Sequence, residues 1–157
     1  MKLYRDATLK DSLVVANNLR PEDRDEMEGI GYTVLSLPLG VATCEHSTYF
    51  FSKEGKPAGL AGIARLDNNV GQIWMLCTPV IHDAPITFVR EAKKWLDNIQ
   101  GEYTLLWNVA DARNQVHHKL LKHLGFKALR TVLVGPKNLP YYEIVKLCVP
   151  SQYVLLR

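Results

Sequence analysis

Between Gln72 and Val109 the chain runs from an apolar stretch through an amphipathic helix into a second apolar stretch, and this unit narrows the fold more than any other segment. Gln72 to Thr78 is nearly all apolar, as a strand covered on both faces must be. Thr87 to Ile99 places Phe88, Ala92, Trp95, Leu96 and Ile99 on one face, with Arg90, Glu91, Lys93 and Lys94 around the rest. Glu102 to Val109 reads as another buried strand. A strand, a crossover helix and a strand predict two parallel neighbours in one sheet, with the helix packed on its face.

The flanking segments extend that sheet. Lys2 to Asp6 is a short first or edge strand. Thr8 to Asp11 has the form of a capping box with a shortened acid, followed by Leu13, Val14, Asn17 and Leu19 at roughly helical spacing. Pro21 stops that helix and, with Glu22 and Asp23 behind it, starts a second one that ends near Gly29 or Gly31. Leu35 to Cys44, interrupted by Pro38 and Gly40, gives no clear conformation. Ser47 to Ser52 and Pro57 to Leu66 read as strands around a turn at Lys53–Lys56, and Gly59 and Gly62 mark a bulge or a close backbone approach. A second turn, Asp67 to Gly71, leads into the Gln72 strand. Asn114 to Leu124 is a helix closed by Gly125, and Phe126 to Val134 and Tyr141 to Val149 are the last strands. The order predicts an α/β (α+β) fold as a single domain over residues 1–157: a mixed twisted sheet of six to seven strands flanked by about four helices.

Composition excludes some partners. The net charge of +3 over 157 residues is small, and acids and bases interleave, as in Arg20-Pro-Glu-Asp-Arg-Asp-Glu26, which argues against a nucleic-acid face. Cys44, Cys77 and Cys148 form no paired or zinc-type motif, so reduced thiols in a cytoplasmic protein are expected. His117 and His118 point about 100° apart on a helix and do not chelate jointly, so no metal is expected from the His117, His118 and His123 group. No stretch reaches the length of a membrane span.

One motif carries a family resemblance. Asn114-Gln-Val-His-His-Lys-Leu-Leu-Lys-His-Leu-Gly125-Phe126 resembles, without a gap, the helix of GNAT (Gcn5-related N-acetyltransferase) enzymes that opens on Asn and closes on Gly-Phe. The resemblance covers about residues 1 to 149 and implies a GNAT-like fold. It also implies acetyl-CoA as cosubstrate and transfer of an acyl group to an unidentified amine, on a small molecule or a protein. The family's phosphate loop, Pro-x-x-Arg/Gln-x-x-Gly-x-Gly/Ala, aligns with Pro79-Val-Ile-His82-Asp-Ala-Pro85-Ile-Thr87. Here His82 replaces the Arg or Gln, Pro85 removes an N–H donor, and Asp83 adds negative charge. Scattered matches, at Leu19 to Glu26, Ile73-Trp74 and Leu106-Trp-Asn108, resemble a GNAT-like branch of short-tailed bacteriophages. They imply the alternative of a catalytically degenerate virion or host-interaction module, in the host cytoplasm or the virion, and leave a homodimer open.

The resemblance implies a cofactor set of Leu76, Cys77 and Thr78 on the fourth strand, His82, Asp83, Ala84, Pro85, Ile86 and Thr87 in the loop, and Asn114, which also suits an N-cap. The usual acid Tyr is Leu121 here, which donates no proton. Candidate catalytic groups are Glu45, Tyr142 and His118, with Tyr141 and Glu28 behind them. Each reads more readily as an ordinary surface or strand residue. Cys77 as a nucleophile is weighed against a small buried hydrophobe.

Overall fold

The computed structural model describes residues 1–148. The strands are β1 (Tyr4–Asp6), β2 (His46–Phe51), β3 (Pro57–Arg65), β4 (Val70–Cys77), β5 (Leu105–Asp111), β6 (Lys127–Val134) and β7 (Leu139–Leu147). The helices are α1 (Leu9–Ala16), α2 (Pro21–Ile30), α3 (Ser36–Thr43), α4 (Pro85–Ile99) and α5 (Gln115–His123). One seven-stranded sheet runs in the order β1-β2-β3-β4-β5-β7-β6. Every neighbouring pair is antiparallel except β4 and β5, joined in parallel through α4. Val149, expected at the end of the last strand, lies outside the described residues.

Helices cover both faces. Val15, Met27 and Leu37 of the first three helices, with Leu19 between α1 and α2, bury against Tyr49 and Leu60. On the other face Phe88, Trp95 and Leu96 of α4 and Leu120 of α5 pack on Phe50, Ile63 and Leu106. The continuous apolar run of β4 follows from this: Ile73, Met75 and Cys77 enter the α4/α5 core, while Trp74 and Leu76 pack against the opposite core.

Local signals in the sequence have their expected forms. Thr8 and Asp11 close a complete capping box on α1, and Gly31 caps α2 at φ +105°. The structure adds α3 to the helices expected. Pro38 lies in its first turn, where the missing N–H breaks no helical bond. Gly40 admits the Trp74 indole, since a Cβ there would come within 3.1 Å of Trp74 Cζ2. Gly62, opposite Trp74 in the β3–β4 register, accommodates the same ring: a Cβ at Gly62 would collide with it.

The β4–β5 ladder is short. It holds Val70 with Leu105, Gly71 with Leu106 and Gln72 with Trp107, and then stops. Beyond it, β4 continues to Cys77 paired only to β3, and β5 continues to Asp111 paired only to β7. The sheet is open along its middle at the C-terminal ends of its two parallel strands, where open α/β sheets receive ligands.

Candidate active site at the parting of two strands

Asn108 stands where the strands separate. Its side-chain amide donates to the Ile73 carbonyl at 2.5 Å, and its own carbonyl oxygen accepts from the Val109 N–H at 2.7 Å. A side chain therefore terminates the ladder, satisfying main-chain groups that would otherwise pair across it. Past this point the N–H of Thr78 donates to Ala58, so alternation turns the N–H and C=O of Thr78 and Leu76 toward β3 and those of Met75 and Cys77 into the gap.

Helix α2 lies over the outer end of the gap. The Cys77 N–H donates to Asp23 Oδ2 at 2.8 Å, and the Cys77 carbonyl accepts from the Arg20 N–H at 2.9 Å. Arg20 holds Asp23 in a fork, Nε to Oδ2 at 3.1 Å and Nη2 to Oδ1 at 2.9 Å. Asn114, the N-cap of α5, donates from Nδ2 to Asp23 at 3.0 Å and to Glu26 at 2.8 Å. Glu26 in turn lies 3.1 Å from His117 Nδ1. Tyr141, fully buried, donates its hydroxyl to the Glu26 main-chain carbonyl at 2.6 Å and fixes α2 in place.

The electrostatics follow from burial. Arg20 and Asp23 are each 2 % exposed, and an ion pair so placed holds only because its donors and acceptors meet in register. One donor is left over: Arg20 Nη1 has no hydrogen-bond partner among the described residues and lies 3.9 Å from Glu22, an omission that costs about 1–3 kcal/mol in a buried site. Burial works against the His117 imidazolium, but the charge and hydrogen bond of Glu26, with Asp23 behind, outweigh it and raise the His117 pKa. Burial pushes the Cys77 thiol well up, with the Asp23 charge adding to it, which makes Cys77 a poor nucleophile. Asp23, Glu26 and His117 bring ligand-type atoms within 4.8 Å of one another. The Asp23 oxygens, however, already accept from Arg20, Asn114 and Cys77, so the cluster is an ion-pair and hydrogen-bond network.

Two spaces meet at this network. A groove of about 610 Å³ runs between α4 and α5, floored by Met75, Ile81, Phe88 and Leu120 and edged by Arg90, Lys93, Lys119 and His123. A cavity of about 550 Å³ extends toward α2 and α3, with Met27, Trp74 and Trp107 in its wall. Met75, His117 and Leu120 line both, so the gap between the strands connects them.

The expected site residues divide. Cys77, His82, Pro85 and Ile86 line the groove, and Asn114 joins the buried network. Thr78 donates its hydroxyl to the Pro57 carbonyl and caps the short turn Pro79–His82. Leu76 faces the α2/α3 side and lines the cavity there. Asp83 and Ala84 are exposed between that turn and α4, and Thr87 is half-buried in its first turn. Leu121 is buried.

The candidate catalytic groups fall elsewhere. Glu45 is bound to Arg65 and to the Tyr103 hydroxyl at the opposite end of β3 and β4. His118 bonds the Asp111 carbonyl at 2.7 Å and packs at a tilt against Tyr142, with 5.0 Å between ring centroids. Glu28 is exposed on α2. The histidine at the junction is the neighbouring His117. Sequence reasoning also passed over Arg20, Asp23 and Glu26. The signal was present: Asp23, Glu26 and Met27 share one face of α2, so burying Met27 buries two carboxylates.

No family model matches the chain, and no curated protein does. Solved structures do. A GNAT superfamily phosphinothricin acetyltransferase from Sinorhizobium meliloti, in complex with AcCoA, aligns at TM-score 0.68 and 14% identity over 94% of this chain and 89% of that one. An aminoglycoside N(6')acetyltransferase from Legionella pneumophila aligns at 0.70 and 9%, covering 98% and 95%. A variant of the spermidine N-acetyltransferase SpeG from Vibrio cholerae aligns at 0.68 and 11%, covering 96% of each. At these identities the likeness establishes the GNAT fold.

Proposed function

We propose that the protein transfers an acyl group, acetyl in the simplest case, from coenzyme A to an amine. The observation that carries this reading is the gap between β4 and β5, open beyond Gln72 and Trp107 and continuous with the α4/α5 groove. A slender thioester-bearing arm fits between two strands that expose main-chain N–H groups. An apolar floor suits its alkyl segments, and the rim of Arg90, Lys93, Lys119 and His123 suits its phosphates. The first turn of α4 leaves N–H groups without helical acceptors, less the one that Pro85 lacks.

The residues at the junction divide the chemistry among them. The Met75 N–H, turned into the gap, is the donor available to a thioester oxygen as charge develops on it. His117 in its neutral form takes the proton of the attacking amine, and Glu26 orients the ring and stabilises the imidazolium. The new bond joins the amine nitrogen to the carbonyl carbon, the carbon–sulfur bond breaks, and the thiolate is protonated from His117 or solvent, since Leu121 offers no proton.

Thermal unfolding with acetyl-CoA, together with release of free CoA thiol, tests the reading. Ligand at a hundred times its dissociation constant adds about 2.7 kcal/mol of stability. A melting temperature unmoved by millimolar acetyl-CoA overturns it.

One observation favours a second reading, a GNAT-shaped interaction module that has lost transfer chemistry, as in a virion: Asp23 occupies the Cys77 N–H that the gap would otherwise offer. The solved structures it resembles lend the phage setting no support. Binding of acetyl-CoA without turnover of any amine would favour this reading.

A further inference from the structure

We infer that the acceptor is a monoamine carried on an aromatic or branched apolar body, and that Glu26 receives its ammonium group; this rests on the transferase reading and deepens it. The cavity that opens on the α2/α3 side and runs through the gap to Leu121 and Phe126 of the opposite core is large enough, at about 550 Å³ in all, for a molecule of drug-like size. Its described lining contains one acidic residue, Glu26, and no lysine or arginine. A polyamine or an aminoglycoside brings several ammonium groups into its site, and each one buried without a carboxylate is costly. This cavity provides for one.

The remaining wall is mostly apolar, with Ser36, Thr43, Gln72, Asn108 and His117 as polar members, and one of its indole rings is held in place. Trp74 and Trp107 lie on the same face of the sheet, by alternation from the Gln72–Trp107 pair. The Trp74 ring is fixed on three sides: Gly62 beneath it, Gly40 above it, and Cys44 Sγ accepting from its Nε1 at 3.4 Å. Two indole rings in the wall of a cavity that holds a single carboxylate suit an ammonium group with an attached hydrocarbon, through ring contact and cation–π attraction. The mouth is apolar too, since Leu39 and Tyr32 line the cavity and remain 64% and 54% exposed. Glu26 touches His117, so an amine held by the carboxylate lies beside the group that takes its proton.

The test is an equilibrium titration of the full chain with 2-phenylethylamine and with spermidine, read by tryptophan fluorescence, with acetyl-CoA binding measured separately. The expected result is saturable quenching by 2-phenylethylamine, about tenfold or more tighter than spermidine, and weakened about tenfold by Glu26→Gln. A second variant, Leu39→Asp at the exposed rim, adds a carboxylate without touching the core and is expected to narrow the gap between the two amines. Spermidine binding as tightly as 2-phenylethylamine, or no quenching by the latter in a protein that binds acetyl-CoA, overturns the inference. Quenching by 2-phenylethylamine without acetyl-CoA binding upholds the amine site and counts against the transferase reading alone.

Discussion

Asp23 holds the main-chain N–H of Cys77 at 2.8 Å, so a carboxylate from α2 sits at the end of β4, on the side of the strand that faces the gap. The same carboxylate is forked by Arg20 and bonded by Asn114, which ties α2, β4 and α5 into one buried unit. Replacing Asp23 by Ala leaves a buried guanidinium and an unpaired N–H, and is expected to cost about 3–5 kcal/mol. Urea unfolding measures the loss. The double variant Arg20→Met/Asp23→Leu removes both charges and is expected to be more stable than Asp23→Ala alone.

The His117–Glu26 pair gives pH dependence of defined sign. The folded-state pKa of His117 is raised above its ordinary value near 6.5, so the pair contributes stability that is fully present below about pH 6.5. That contribution is lost as pH rises through the folded value. Activity moves the opposite way, because the base must be neutral: kcat/KM is expected to rise with pH, with its midpoint above 6.5. Glu26→Gln removes the favourable charge and should shift that midpoint downward. A pH–rate profile with the midpoint unmoved in Glu26→Gln contradicts the role given to the pair.

Gly62 makes the space that Trp74 fills. Gly62→Ala is expected to displace the indole and destabilise the fold by about 1–3 kcal/mol, as overpacking does. Near-ultraviolet circular dichroism should lose part of its tryptophan signal, and 2-phenylethylamine binding should weaken with it.

The groove rim is cationic on both helices. Lys93→Glu and Lys119→Glu, both on exposed positions, are expected to weaken acetyl-CoA binding by about threefold each at low salt, and less at high salt. Calorimetric titration at two ionic strengths checks both the size and the salt dependence.

The fold was largely legible because its signals are local. The 3.6-residue period of α4, the capping box at Thr8 and the Asn114 to Phe126 register each depend on neighbours in the chain. The segment now seen as α3 was not legible, because Pro38 and Gly40 read as breakers until the first-turn position of one and the indole against the other are known. Of the candidate site, the sequence named Asn114 and residues that line the groove, but not the residues at its centre. Asp23 and Glu26 on α2, and Arg20 at its N-cap, lie more than eighty residues upstream of Asn114, and in the sequence they are only part of a run of interleaved acids and bases. His117 and His118 differ by one helical step, and only the packing of α5 decides which faces Glu26. Asn108 lies in an expected buried strand, and nothing in its local sequence says that its amide replaces a ladder bond.

In a transferase of this form the thioester lies in the gap between β4 and β5. Amide chemical shifts of ¹⁵N-labelled protein, recorded as acetyl-CoA is added, report on it directly. The Met75 amide is expected to show one of the largest perturbations in the chain, accompanied by Cys77 and Asn108. Saturation with acetyl-CoA that leaves Met75 and Cys77 unmoved, with changes confined to residues outside the gap, would contradict it.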